Sequence, residues 1–198
     1  MELPIFPLNG AVLYPGTSLP LNIFEERYIE MVNYSLSNSR QIGMIQSDER
    51  NKLFNVGCLG KIHNFNETND GRYLISLQGI SCFRVKRELN VNHSFRMVKA
   101  ELIENYSEDE MTFTENDKSM LLDKYRQYVK IKQINLDLKE IEKIELSQIV
   151  KFIAMISPFK DIEKQALLET ISFQDFYNKI NSIVELEIIG QNTNQTIN

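Results

Sequence analysis

Pro15-Gly16-Thr17-Ser18-Leu19-Pro20-Leu21-Asn22-Ile23-Phe24-Glu25-Glu26-Arg27-Tyr28 is the stretch in which an extended, proline-punctuated segment gives way to a helix. Four of the five prolines, Pro4, Pro7, Pro15 and Pro20, fall within the first twenty residues, and each fixes φ at an extended value and removes a backbone donor. Such a segment can run along a sheet edge but not through the middle of a sheet, where a strand must donate on both sides. Beyond it, Phe24, Tyr28, Met31, Val32 and Ser35-Leu36 recur at spacings of three and four, which predicts one helix face between Phe24 and Leu36. Asn22 with Glu25 fits a capping box, with a start one turn later as the alternative.

Upstream, Leu3 to Leu8 reads as a strand, Asn9-Gly10 as a turn, Ala11 to Tyr14 as a second strand and Pro15-Gly16 as a second turn. Downstream, Gln41 to Gln46 is an apolar run of strand length. The clearest signal is a hairpin from Gly57 to Glu88 around Asp70-Gly71, a two-residue turn pair. That turn would set Thr68 opposite Tyr73, Asn66 opposite Ile75 and Asn64 opposite Leu77. Gly79 interrupts the returning strand and is expected as a bulge. A regular register would put Cys58 and Cys82 on opposite faces, and one extra residue at Gly79 would bring them opposite each other. A further strand runs from Ser94 to Ile103, and the polar, acidic stretch from Glu104 to Asp117 reads as a linker.

The apolar period then changes from two to about 3.6. Thr114 with Asp117 caps a helix carrying Leu121, Tyr125, Tyr128, Val129 and Lys132 on one face. A second helix carries Ile149, Val150, Ile153 and Ile156 and stops at Ser157-Pro158. A short third opens at Asp161. The fourth starts at Ser172 with Asp175, with Ile171 placed to staple against Phe176, and ends at Gly190. The expected organisation is α+β: a strand-rich unit with one helix over residues 1–106, a linker at 107–117, a helical bundle over 118–190 and a flexible tail at 191–198.

At 198 residues the chain is long enough to bury a substantial core. It has no apolar run of membrane-spanning length and no basic-then-apolar leader, so no membrane association is expected and the cytoplasm is the expected location. The two cysteines are too few for a disulfide scaffold and match no metal spacing, so they are expected as buried reduced thiols. The net charge is -5, with -1 up to residue 108 and -4 beyond it, which argues against a nucleic-acid partner.

Catalysis finds little support. The two histidines are His63 and His93, and five residues along a strand turn Cys58 and His63 to opposite faces. Gly60-Lys61 lacks the preceding glycine of a phosphate-binding loop. No catalytic residue, cofactor or metal is assigned. The exception is the Pro15 to Phe24 turn, where Pro15, Leu19, Pro20, Leu21 and Phe24 concentrate apolar surface on a stiff backbone with few donors. These side chains either pack against the sheet or offer an extended hydrophobic peptide a surface.

Several of these motifs together resemble one family. Leu3-Pro4-Ile5-Phe6-Pro7-Leu8, Leu13-Tyr14-Pro15-Gly16 and Leu19-Pro20-Leu21-Asn22-Ile23-Phe24-Glu25-Glu26-Arg27-Tyr28 are similar to the opening of the Lon substrate-binding domain. So are Ile42-Gly43-Met44-Ile45, Val56-Gly57-Cys58-Leu59-Gly60-Lys61-Ile62, Asp70-Gly71-Arg72-Tyr73-Leu74-Ile75 and Gly79-Ile80-Ser81-Cys82-Phe83-Arg84-Val85 in their order. Lys164-Gln165-Ala166-Leu167-Leu168-Glu169 resembles the family's closing helices. Glu26 departs from the pattern, which often has proline there.

The resemblance implies a PUA-like pseudo-barrel with one helix, followed by a helical bundle. In complete Lon proteases an ATPase module and a serine-lysine protease module follow. This sequence ends at Asn198 with neither motif, so a stand-alone, non-catalytic Lon-domain protein is expected. The implied partners are unfolded or hydrophobic protein segments, with a separate protease or chaperone as a further partner. Two alternatives stay open: an RNA-binding PUA-like module, and a small-ligand protein with a pocket between barrel and bundle.

Overall fold

The computed structural model describes residues 1–104 and 113–195, the last five as backbone only. Along the chain the strands are β1 (Glu2–Pro7), β2 (Ser18–Ile23), β3 (Gln41–Ile45), β4 (Val56–Glu67), β5 (Tyr73–Leu89) and β6 (Met97–Leu102). The helices are α1 (Glu26–Leu36), α2 (Glu115–Ile131), α3 (Leu146–Ile156), α4 (Asp161–Leu168) and α5 (Phe173–Gln195).

The expected hairpin is β4–β5, but its turn is longer than two residues. Thr68 N–H donates to the Arg72 carbonyl at 2.9 Å and Gly71 N–H to the Thr68 carbonyl at 3.0 Å. Two-residue hairpin turns need positive φ at the first central position, and of Asp70 and Gly71 only Gly71, the second, has it, at 81°. The pairing slips by one: Glu67 faces Tyr73, Asn66 faces Leu74 and Phe65 faces Ile75. Two register shifts follow, with His63 the extra residue on β4 and Ile80 the extra residue on β5, next to the Gly79 position expected. Being on opposite strands, they cancel. Cys58 therefore does face Cys82, because the one-residue slip at the turn sets that alignment and the two bulges, cancelling, preserve it.

β3 pairs antiparallel with β4, β1 runs parallel to β3, β6 runs antiparallel to β1, and β6 returns to the second half of β5. The strands thus close a ring, because the 17 residues of β5 reach β2 with one half and β6 with the other. β2 hangs outside the ring on β5 alone, with Pro20 opposite Ser76. An edge tolerates a missing donor that a central strand does not. β1 departs from that expectation: it carries Pro4 and Pro7 yet lies between β3 and β6, which is possible because pairing with β3 begins only at Ile5 and pairing with β6 ends at Pro4.

Inside, Phe83 is fully buried among Leu3, Ile5, Ile45, Leu59, Val98 and Ala100. Its ring lies against Gly43 and Gly57, where a Cβ would come within 3 Å of it. α1 buries Tyr28, Met31, Val32 and Ser35, as the spacing predicts. It begins at Glu26, so Phe24 lies before the helix, and Glu25 caps it without a side-chain bond.

Residues 11–14 form no strand. Val12, Leu13 and Tyr14 are buried in succession instead of alternating, and Thr17 closes the turn with its N–H and hydroxyl on the Tyr14 carbonyl at 3.1 and 2.8 Å.

Contacts divide the chain into two units. The first holds the residues up to the 105–112 segment together with Pro158–Glu169, and the second holds the rest. α4, expected with the other helices, thus belongs with the strands. Its ties are polar and long in sequence: Tyr14 hydroxyl to the Lys164 carbonyl, Lys164 Nζ to the Gly10 carbonyl, and Gln165 Nε2 to the Val56 carbonyl at 3.1, 2.6 and 3.0 Å.

In the second unit the Thr114–Asp117 capping box is present, and Leu121, Tyr125, Tyr128 and Val129 are buried. Tyr125 shares a hydrogen bond with Ser157 at 3.0 Å. On α5, Phe173, Phe176, Ile180 and Val184 are buried. Ile171 is 86% exposed and staples nothing, and the helix continues through Gly190 to Gln195. Most of the expected linker and the end of the expected tail lie outside the described residues.

Candidate peptide-binding face

The five residues singled out in the Pro15 to Phe24 turn follow one another in the chain but divide in space. Pairing fixes the sides, since partners across antiparallel strands share a face. Leu19 and Leu21 stand opposite Leu77 and Ile75 and share their face, whereas Pro20 stands opposite Ser76 on the other face with Ser18 and Asn22. Pro15 sits in the turn held on β5 by Gly16 N–H to the Gly79 carbonyl at 3.0 Å and Gly79 N–H to the Thr17 carbonyl at 2.8 Å. Phe24 projects beyond β2 and is 65% exposed.

The face shared by Leu19 and Leu21 is the one that carries Gly60 and Ile62 on β4, opposite to the face of Leu59 and Phe83, and along β2, β5 and β4 it opens progressively. Ile62, Ile75 and Leu77 are buried, Leu19, Leu21 and Tyr73 are half-buried, and Phe65 is 39% exposed. Leu21, Ile75 and Phe65 stand side by side across the three strands, and the Phe65 and Tyr73 rings meet edge to face at 4.9 Å. Phe65 and Tyr73 escape a reading based on a two-residue turn, which puts Asn66 where Phe65 stands. The signal was Thr68, whose hydroxyl takes the Arg72 N–H at 3.1 Å and holds the longer loop.

The same unit holds a concavity of about 410 Å³ lined by Pro7, Leu8, Arg27, Tyr28, Phe95 and Arg96, among others. Its arginines are already engaged. Arg96 forks onto Glu88 at 2.6 and 2.8 Å, and Arg27 pairs with Glu25 at 2.7 Å while lying over the Tyr28 ring. The hydrogen bonds from Arg96 hold the Glu88 carboxyl below its usual range, and burial pushes the Tyr28 phenol up against the pull of Arg27.

Among the described residues, neither histidine stands with a cysteine or serine nucleophile. His63 is exposed at its bulge while Cys58 is buried, and His93 pairs with Glu30 at 3.2 Å and stacks on Phe95. Among the described residues, no group of three or more His, Cys, Asp or Glu is placed to hold a metal ion, and no helix is long and apolar enough to cross a membrane.

A closed strand ring with an edge strand entering α1, and a second helical unit, is the architecture of Lon N-terminal domains. A Lon N-terminal domain protein from Xanthomonas campestris matches with a TM-score of 0.68 at 19% identity, over 93% of this chain and 98% of that one. The N-terminal domain of Mycobacterium avium complex Lon protease matches at 0.67 and 11%, over 94% and 98%. At such identities the likeness is one of fold.

The family follows from the sequence. The family model described as the ATP-dependent protease La (LON) substrate-binding domain matches residues 2–185, and the chain belongs to that family. Curated relatives include the Lon protease of Buchnera aphidicola subsp. Baizongia pistaciae, 28% identical over 95% of this chain, and Lon protease 1 of Bacillus subtilis, 26% identical over 94%. The chain spans about 25% of the length of each of these relatives.

Proposed function

We propose that this chain is a non-catalytic module that holds unfolded or hydrophobic segments of other proteins against the open end of the β2–β5–β4 face. The observation that carries this reading is the strip in which Leu21 and Tyr73 are half-buried and Phe65 is 39% exposed around the buried Ile75. Membership of a substrate-binding family supports it. An extended peptide lying there would gain about 25 cal/mol for each Å² of apolar surface removed from water. Ordering the two partners costs about 4–15 kcal/mol, so capture is weak and tolerant of sequence. The Lon proteases among its relatives support clients bound for degradation, with a separate protease or chaperone receiving them in the cytoplasm.

The test is fluorescence anisotropy of the full chain with apolar and polar unfolded peptides at physiological salt, with a structured RNA as control. Apolar peptides should bind selectively. Phe65→Asp, at a position 39% exposed, and Leu21→Asp should each weaken binding about tenfold in variants whose circular dichroism matches the parent. Folded variants that bind as the parent does would remove this face from consideration. Retention of RNA in place of peptide would transfer the function to nucleic acid.

A further inference from the structure

We infer that Cys58 and Cys82 form a site of reversible oxidation, closing a cross-strand disulfide between β4 and β5 when the protein meets a peroxide. This inference is independent of peptide binding. The two residues are direct partners in the antiparallel ladder, so both side chains leave the same face.

Their place in the hydrogen-bonding alternation makes the pair a close one. Val85 N–H donates to the Asn55 carbonyl at 2.8 Å, which marks that pair as one that exchanges hydrogen bonds. Such pairs recur at every second position, and three steps further along the ladder Cys58 and Cys82 fall on the intervening kind. The other edge of β5 agrees. Ile103 N–H donates to the Cys82 carbonyl at 2.9 Å, so the Cys82 backbone points toward the segment after β6 and away from β4. Non-exchanging partners stand about 4.5 Å apart at Cα. Disulfides span about 4.4–6.8 Å at Cα, so the bond can close with little backbone movement.

Accessibility sets the order of events. Cys58 is fully buried, whereas Cys82 is half-buried, with its thiol 3.7 Å from the Leu168 carbonyl. The Cys82 thiolate attacks one oxygen of hydrogen peroxide, forming an S–O bond and breaking O–O, to leave a sulfenic acid and, after protonation, water. The Cys58 sulfur then attacks the Cys82 sulfur. S–S forms, S–O breaks, and the departing hydroxide leaves as water with the Cys58 proton. Two thiols and one peroxide thus give one disulfide and two waters.

The experiment treats the folded full chain with a small excess of hydrogen peroxide, blocks remaining thiols by alkylation under denaturing conditions, and measures intact mass and non-reduced peptides. The expected result is a monomer lighter by two hydrogens, carrying a peptide pair that joins Cys58 to Cys82 and separates with dithiothreitol. It should form at least tenfold faster in the folded chain than in urea. Cys82→Ser should abolish it without loss of fold. Equal rates in the folded and unfolded chains would overturn the proposal. So would two alkylated thiols, stepwise oxygen addition at Cys82 alone, or a Cys82-linked dimer.

Discussion

Gly79 lies where the Pro15-Gly16 turn crosses β5, and both of its backbone groups bind that turn. A Cβ there would fall on the Tyr14 carbonyl, which is backbone and cannot swing aside as a long side chain would. Gly71 presents the opposite case, with φ at 81° and nothing within 4 Å of an added Cβ. In urea denaturation we expect Gly79→Ala to lower the unfolding free energy by about 3 kcal/mol. Gly71→Ala should lose only about 1 kcal/mol, from its left-handed backbone. A Gly79→Ala loss no greater than that of Gly71→Ala would refute the crossing argument. The sequence marked Gly79 as unusual but assigned it the bulge. Ile80 supplies the bulge, and Gly79 is needed because another stretch of backbone approaches it, something no local pattern records.

α4 illustrates what helical periodicity leaves open. Its eight residues are too few to define a broad apolar stripe, and chain order alone groups it with its neighbouring helices. Its partners are instead 109 to 154 residues away at Val56, Tyr14 and Gly10. Gln165 is 2% exposed, donates to the Val56 carbonyl, and accepts from Gln46 Nε2 at 3.1 Å. Gln165→Leu keeps the bulk but leaves those groups buried without it, and should destabilise the first unit by about 2 kcal/mol. Amide exchange in α4 should accelerate together with that of β4. Unchanged exchange in α4 would mean that its apolar contacts alone hold it.

Alkaline stability involves buried groups of opposed sign: phenols in both units and one lysine in the first. Burial raises the Tyr125 phenol above its ordinary value of 10.0, against a smaller pull from its bond to Ser157, and it raises Tyr28 likewise. A phenol raised on folding contributes stability that is complete below about pH 10 and is lost as pH climbs through the folded value. Lys164 is shifted the other way. Burial lowers it from 10.5 against the pull of Asp161, so between its folded value and 10.5 the unfolded chain binds more protons and stability rises with pH. In the second unit Tyr177 is also raised by burial, so the loss should dominate there. Between pH 9 and 11, Tyr125→Phe should flatten the fall in thermal midpoint, although it leaves Ser157 buried without this partner and is less stable at pH 8. A slope as steep as the parent's would assign the alkaline loss to other groups.

Local chemistry made much of this protein legible in its sequence. Pro20 fits β2 to an edge, although Pro4 and Pro7 do not keep β1 from the middle of the sheet; the three-and-four spacing gives the buried face of α1, Thr114 with Asp117 gives the start of α2, and the ordered motifs give the family. Register was not legible, because a period-two pattern fits neighbouring alignments almost equally well and a slip of one residue exchanges the two faces. Hydrogen bonds around Thr68 and two cancelling bulges settle it. They bring Phe65 beside Ile75 and Leu21 and set Cys58 across from Cys82. Those outcomes belong to contacts between distant residues, which exist only once the chain has folded.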